Sequence, residues 1–282
     1  MWKPEHRQAA ERHSLRYPSD LTDAEWALVG PMIPPARHGG RPRDVNVREV
    51  LNAIFYVLST GCQWKALPKD LPPKSTAHYY FMLWDWDGTL DRIHHTLYVA
   101  VREQAGREAS PSVAIIDSQS GKAAQKGGPT LDPQGYDAGK KVTGRKRHIL
   151  VDTLGLLLSV AVHPANIQDR DGVALVLDRR TRRLFPFIER IYADGGYQGP
   201  KAAAAAARTG AWVIDIVKRS DTAIGFEVLP KRWIVERTIA WISRFRRLAR
   251  DFERYAGTVA AFIRLAMIRI MLRRLTRLNL CR

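Results

Sequence analysis

The chain has 282 residues, and its 45 lysines and arginines outnumber its 28 aspartates and glutamates, giving a net charge of +17. This length allows one large domain or two modest ones, and 45% hydrophobic residues suffice for a core. The charge favours a polyanionic partner, nucleic acid first, over a ribosome-associated or merely basic soluble protein. Two distant cysteines argue against a zinc site or a disulfide framework, so a reducing cytoplasm is expected. The N-terminus lacks a signal-peptide pattern, and no run is apolar enough to span a membrane.

The N-terminal third predicts a flexible basic arm, residues 1–16, followed by short helices. Thr22 and Glu25 have the spacing of a capping box, which predicts a helix start. Asn46 caps a second predicted helix that ends at Gly61. Further helices are predicted from Ser75 and over 89–104.

Several short helices with a basic loop among them are typical of a helix-turn-helix-like module, and we assign residues 17–108 to a helical DNA-recognition region. The basic loop, residues 36–43, has two interpretations that stay open: a solvated linker, or an arm that lies along DNA phosphates. In the second case its contacts would be Arg37, Arg41 and Arg43. The aromatic cluster of the helix from Ser75 is interpreted as core.

From Ser112 the pattern changes from helical to strand-like. A strand ends at Asp117, residues 121–147 predict a long basic loop, and a hairpin turns at 152–155. The remaining elements are a helix over 169–180, a strand over 188–194, a helix over 201–208, a strand over 212–217 and closing helices from Pro230 and Thr258. This order predicts an α/β ribonuclease-H-like mixed sheet flanked by helices, residues 109–255. A basic C-terminal helix, 256–282, would form a dimer contact or a further DNA surface.

Three acidic residues are candidates for a metal site. Asp117 and Asp194 each follow a short apolar run, and Gly195 and Gly196 directly after Asp194 permit close approach. The third, Glu236, lies on a predicted helix. Each acid alone also has a structural interpretation, as a helix cap, a turn former or an ion-pair partner. The other acids, interpreted as a turn residue, two helix-starting residues and a strand residue, are Asp152, Asp169, Asp171 and Asp215; Asn166 and Asp169 are left open as neighbours of the site.

The chain resembles the DDE-type bacterial insertion-sequence transposases, in the group named after insertion sequence five. The resemblance covers residues from about 17 to 255. Its motifs are Tyr17-Pro-Ser-Asp-Leu-Thr-Asp-Ala-Glu-Trp26, Gly61-Cys-Gln-Trp64, Ile116-Asp-Ser-Gln-Ser120, Gly144-Arg-Lys-Arg-His148, Ala193-Asp-Gly-Gly-Tyr197 and Arg232-Trp-Ile-Val-Glu-Arg-Thr238, with Trp241. Each motif is weak alone, but all of them in this order are specific.

The resemblance implies that Asp117, Asp194 and Glu236 form a catalytic acidic triad that binds metal. It also implies a helical N-terminal region that recognises terminal inverted repeats. Related families surround the glutamate with a Tyr, Arg, Glu and Lys/Arg signature. Here Arg232 fits, the tyrosine position is Leu229, and the basic position is Ser243, next to Arg244.

The expected cofactor is Mg²⁺ or Mn²⁺, as two ions, because phosphoryl transfer needs hard cations held by carboxylates. The expected reaction is cleavage at the repeats and transfer of the 3′-hydroxyl end into target DNA. The alternatives are a metal-dependent nuclease that does not join DNA and a DNA-binding regulator whose acids are structural. The expected partners are double-stranded DNA and a further copy of the chain, at the bacterial nucleoid. The residues predicted to contact DNA are Arg37, Arg41, Arg43, Lys140, Lys141, Arg145, Lys146, Arg147, Arg232, Arg237, Arg244 and Arg247.

Overall fold

The computed structural model describes residues 12, 14–36, 39, 43–124, 131–210, 212–217 and 231–278. The chain divides into two compact units. Unit 1 takes the chain up to Ala105, the short stretch Phe245–Arg247 and the chain from Arg264 onward. Unit 2 takes Gly106–Arg244 and Leu248–Ile263. The result is an N-terminal helical region and a mixed α/β unit.

Unit 1 is helical, and local capping sets where its helices begin and end. The capping box of Thr22 and Glu25 is present and confirms the predicted start of the first helix. Asn46 accepts hydrogen bonds from two backbone amides at the start of the second helix, and Gly61 ends it in the left-handed conformation. The helices are α1, Asp23–Val29; α2, Val47–Thr60; α3, Lys74–Trp86; and α4, Thr89–Gln104.

The last helix, Ala256–Leu278, completes the core of unit 1 with its second half. Its buried apolar residues there are Leu265, Ala266, Met267, Ile268, Met271, Leu272 and Leu275. Arg269 is 1% exposed, and its guanidinium donates to Glu25 Oε2 at 2.8 Å and to the Asp20 carbonyl at 3.0 Å. These bonds give Arg269 an internal role, so it is not part of the DNA or dimer surface that the sequence predicted for this helix.

Unit 2 is built on a six-stranded mixed sheet with the strand order β2-β3-β1-β5-β6, and β4 also pairs with β3. β1 is antiparallel to β3 and parallel to β5, and β6 continues parallel to β5. The strands are β1, Val113–Lys122; β2, Gly135–Asp137; β3, Val142–Asp152; β4, Leu157–Pro164; β5, Arg190–Ala193; and β6, Val213–Ile216. The helices are α5, Asp169–Val176; α6, Arg179–Leu184; α7, Pro200–Ala207; α8, Arg232–Ser243; and α9, the last helix.

The hairpin between β3 and β4 confirms the sequence prediction. Asp152 is fully buried in its turn and accepts hydrogen bonds from the amides of Leu154 and Leu156. Gly155 has φ +78°, and a Cβ there would lie 2.7 Å from the Thr238 hydroxyl on α8. The turn therefore requires glycine, both for its backbone conformation and for the close approach of α8.

The prediction of a long loop over 121–147 is wrong where the structure describes these residues. β1 extends to Lys122, Gly135–Asp137 forms β2, and β3 begins at Val142. Lysines and glycines lowered the strand signal, but β3 is paired along both of its edges. Residues 125–130 lie outside the described residues.

Among the described residues, none of the helices combines the length and apolar character needed to cross a bilayer.

Candidate active site

Two parallel strands bring Asp117 and Asp194 to the same level of the sheet. Ile115 on β1 pairs with Tyr192 on β5, and each aspartate lies two residues beyond its strand's paired residue. Asp194 follows the end of β5 and accepts a hydrogen bond from the Gly196 amide at 2.8 Å. Asp117 lies within β1, which continues to Lys122, but its position matches that of Asp194 on the adjacent parallel strand, so the two carboxylates are well placed to act together.

Helix α8 carries the third acid, Glu236, and an arginine of the same helix lies near both Glu236 and Asp194. The Arg232 Nη2 atom lies 3.6 Å from Glu236 Oε1, one turn along the helix, and 3.7 Å from Asp194 Oδ2. Glu236 is 58% exposed and Asp194 is 29% exposed, so both carboxylates reach solvent. The arginine thus links the sheet acid to the helix acid.

Asp117 differs from these two because it is more enclosed. Its pKa is raised to about 6, mainly by burial and also by the charge of Asp194, against lowering contributions from the Ser118 amide, Arg232 and Lys140. The Lys140 ammonium donates to the Ser118 carbonyl at 3.2 Å. Negative charge at Asp117 is therefore only partly compensated by the protein's own cations.

The donor set suits a hard divalent cation, although no three His, Cys, Asp or Glu side chains in the described part of the chain converge closely enough to form an ion-binding cluster. Three carboxylates offer the oxygen ligands that Mg²⁺ and Mn²⁺ prefer. The raised pKa of Asp117 shows that this position would gain from a nearby positive charge. Arg232 is the cation that lies between Asp194 and Glu236.

A fourth carboxylate, Asp169, lies beside the predicted triad. Its Oδ1 accepts from the Ser118 hydroxyl at 2.7 Å and from the Lys146 ammonium at 3.0 Å. A Cβ placed on Gly196 would lie 3.0 Å from Asp194 Oδ1 and 3.2 Å from Asp169 Oδ2, so the two carboxylates face the same glycine.

The sequence suggested Asp169 only as an open neighbour of the site, because a helix-starting acid explained it equally well. It does start α5, as does Asp171, which pairs instead with exposed Lys201. Asn166, the other open neighbour, lies against Gly135 of β2. Asp215 pairs with Arg190 on the neighbouring strand.

Tyr197 is buried among these acids. Burial raises the pKa of its hydroxyl well above the usual range, and the negative charges of Asp117, Asp169 and Asp194 raise it further. Its ring meets the His148 ring edge-on at 5.7 Å between centroids. Tyr197 is therefore an uncharged residue that lines the site near Asp117, Asp169 and Asp194.

Three of the cations predicted to contact DNA are buried in β3. Arg145, Lys146 and Arg147 are 2–5% exposed. Arg145 forms an ion pair with Asp251 at 2.5 Å, and Arg147 donates to the carbonyls of Leu248 and Arg250. Because side chains alternate along a strand, Arg145 and Arg147 face residues 248–251, and Lys146 faces Asp169 on the opposite side of the sheet. Their charges are used inside the protein, so the prediction of DNA contacts for these three residues was wrong.

Two further predicted contacts are also engaged within the protein. Arg247 is 8% exposed and donates to the Cys62 carbonyl at 3.0 Å. Arg237 lies over the rings of Trp233 and Trp241, 4.5 and 4.6 Å from their centroids. Trp241 is thus engaged with Arg237, whereas Trp233 remains 45% exposed.

The remaining predicted contacts fall into three groups. Lys140, Lys141 and Arg244 are exposed. Arg43 donates to the Pro34 carbonyl at 2.9 Å, and Arg232 lies between the acids as described. Arg37 and Arg41 lie outside the described residues.

Comparison with known proteins points to one family. The family model "Transposase DDE domain" matches residues 108–271, and "Putative transposase of IS4/5 family" matches residues 21–94. A "Putative transposase for insertion sequence element IS402" from Burkholderia cepacia is 32% identical over 158 residues, which are 54% of this chain and 70% of that protein. An "Insertion element IS402 uncharacterized 16.2 kDa protein" from the same organism is 32% identical over 114 residues, 38% of this chain and 76% of that protein. No solved structure matches.

The DDE model covers more than half of the chain and includes all three acids of the predicted triad. Its match therefore agrees with the resemblance stated from the motifs. The family implies binding to DNA and a general dependence on divalent metal. The chain belongs to the DDE-domain transposases of insertion sequences, enzymes that act on DNA.

Proposed function

We propose that this transposase cleaves DNA at the terminal inverted repeats of an insertion sequence and transfers the 3′-hydroxyl end into target DNA. The observation that carries the proposal is the level placement of Asp117 and Asp194 on parallel strands, with Arg232 linking Asp194 to Glu236. We further propose that unit 2 is ribonuclease-H-like. The order β4-β3-β1-β5-β6, with three antiparallel strands followed by two parallel ones, supports that assignment.

Asp117, Asp194 and Glu236 would hold Mg²⁺ or Mn²⁺, as two ions. When bound, such ions would supply Lewis-acid chemistry, activating an attacking oxygen and stabilising a leaving one. The protein's part is to hold the three carboxylates in place. The Gly196 amide holds Asp194 by a hydrogen bond. Arg232 lies close to both Glu236 and Asp194. Asp117 is held by its strand, which pairs with β3 and β5.

The surface near the site supplies cations for DNA phosphates. Lys140 and Lys141 follow β2, and Arg244 follows the helix that carries Glu236. All three are exposed, unlike the buried arginines of β3. We propose Lys140, Lys141 and Arg244 as phosphate contacts, with the helices of unit 1 recognising the repeat ends.

The test is an assay of purified protein with DNA carrying the gene's native flanks and Mg²⁺ or Mn²⁺, scored for cleaved ends and joined products. Asp194→Asn preserves size and removes the charge, and it is expected to abolish both products. Asp215→Asn is the matched control: this aspartate lies on the adjacent strand and pairs with Arg190, so its loss leaves both products.

Three outcomes separate the candidate functions. Joining that needs metal and Asp194 establishes the proposal. Cleavage without joining indicates a nuclease. Tight binding of the flanks with no cleavage at any metal concentration indicates a regulator and overturns the catalytic assignment.

A further inference from the structure

We propose that Asp169 is a positioning residue of the catalytic site, which fixes the spacing between the Asp117 strand and the loop after Asp194. The proposal rests on the function proposed above. Asp169 does not belong to the triad, and its role follows from what its two carboxylate oxygens contact. One oxygen joins β1 to β3, and the other faces the glycine that follows Asp194.

The first oxygen connects two neighbouring strands. Asp169 Oδ1 accepts from the hydroxyl of Ser118, the residue directly after Asp117, at 2.7 Å. The same oxygen accepts from Lys146 on β3 at 3.0 Å, and that ammonium also donates to the Ile167 carbonyl at 2.9 Å. Lys146 is 5% exposed, so this pair is held away from solvent and screened weakly by salt.

The second oxygen faces the Asp194 loop. A Cβ on Gly196 would lie 3.2 Å from Asp169 Oδ2 and 3.0 Å from Asp194 Oδ1. Both distances are tighter than ordinary carbon–oxygen contacts, so a side chain at this position would crowd both carboxylates and only glycine leaves room for them. Asp169 therefore borders the loop that orients Asp194 and limits the room available to it.

Helix α5 holds Asp169 firmly enough for this role. Gly172, three residues after Asp169, lies against His148 of β3, and a Cβ there would come within 2.3 Å of the imidazole. His148 is fully buried, and burial lowers its pKa to about 3, so the ring is neutral at physiological pH. Lys146 is thus the positively charged group closest to Asp169 among the described residues.

The experiment measures Mn²⁺ binding to the DNA-free protein by electron paramagnetic resonance, together with kcat and KM for end cleavage and the thermal midpoint. For Asp169→Ala we expect the Mn²⁺ Kd to rise and kcat to fall, each about 10–100-fold, as is typical when a group supporting metal ligands is removed. The KM for DNA should stay unchanged because Asp169 contacts Lys146 and His148, neither of which is a proposed phosphate contact. Asp169→Asn, which retains an acceptor for Ser118, should fall between the wild type and Asp169→Ala.

Asp171→Ala is the matched control, since Asp171 starts the same helix but pairs with Lys201, which is 72% exposed. It should leave the Mn²⁺ Kd and kcat unchanged. If Asp169→Ala fails to fold, Ser118→Ala tests the same contact by removing one hydrogen bond, and it should shift Kd and kcat in the same direction by less. Gly196→Ala should also weaken Mn²⁺ binding, and its effect should be smaller in the Asp169→Ala background, because one of the two crowded oxygens is then absent.

Wild-type Mn²⁺ affinity and kcat in Asp169→Ala would overturn the inference. So would losses that only follow the unfolded fraction. Failure of the proposed function looks different: the wild type would then show no metal-dependent cleavage, or Asp194→Asn would cleave as well as the wild type. If the wild type binds no Mn²⁺, both proposals fall.

Discussion

Two sets of arginines in this chain look alike in sequence and differ in the fold. Arg145 and Arg147 lie on β3, are 2% and 4% exposed, and bind Asp251 and nearby carbonyls. Arg244 and Arg250 follow helix α8 and are exposed. The difference shows that the net charge of +17 overstates the charge available to a polyanion. Part of it forms ion pairs with buried acids or hydrogen bonds with buried carbonyls, and only the exposed part can contact phosphates.

The largest effect is expected from breaking a buried pair. Arg145→Ala should destabilise the protein by about 3–5 kcal/mol, because Asp251 is left buried without its cation. Chemical denaturation measures the change. Replacing both partners, as in Arg145→Met with Asp251→Leu, should recover most of the loss, since apolar pairs of similar size often match a buried ion pair. If Arg145→Ala were as stable as the wild type, Arg145 would contribute no more to stability than the exposed arginines do, and the comparison would fail.

The next effect concerns Glu25, a buried acid of unit 1. Burial would raise the pKa of Glu25, but bonds from Arg12 and the charge of Arg269 lower it to about 2, below the usual 4.5. Its stabilisation is therefore present above about pH 4.5 and lost as the pH falls through 2. The lost free energy of unfolding is about 3 kcal/mol at about 1.4 kcal/mol per pKa unit. Denaturation of the wild type and Glu25→Gln between pH 6 and 2 measures it; equal slopes would contradict the assignment.

The exposed set should affect binding rather than stability. Arg244→Ala is expected to weaken binding to double-stranded DNA and to reduce the slope of log K against log salt by about 1, the effect of one lost phosphate contact. The thermal midpoint should stay unchanged. Fluorescence anisotropy over a salt series provides the measurement, with Arg183→Ala, an exposed arginine on α6, as the control. An unchanged salt slope would argue against the contact.

The smallest effect is expected at an exposed ion pair. Arg190 is 61% exposed and lies 3.1 Å from Asp215 on the neighbouring strand. Because solvent screens such pairs, Arg190→Ala should change the free energy of unfolding by less than about 1 kcal/mol. A loss comparable to that of Arg145→Ala would show that exposure does not separate the two sets of arginines.

The parts of the fold with local signals were predictable. The capping box at Thr22, the hairpin after Asp152 and the strand end before Asp194 depend on neighbours a few residues away. The predicted strand end at Asp117 was wrong, because β1 continues to Lys122 through its pairing with β3. The burial of Arg145 was not predictable, because its partner Asp251 lies 106 residues later in the chain. Asp169 and Asp171 have the same local pattern, and only the approach of Ser118, 51 residues earlier, distinguishes them. Alternation along β3 predicts that Arg145 and Lys146 point to opposite faces of the sheet. It does not predict that both faces are covered, which is why both side chains are buried.

The pairing of Arg269 with Glu25 has a consequence for synthesis of the protein. The two residues are 244 positions apart, and the second half of the last helix belongs to unit 1. A ribosome working at 5–20 residues per second needs about 12–50 s to travel that distance. Throughout this interval the nascent N-terminal helices lack the apolar side chains and the guanidinium that complete their core. Unit 2, whose last segment ends at Ile263, can close first, so the two units are expected to mature in the reverse of the order in which their chains begin.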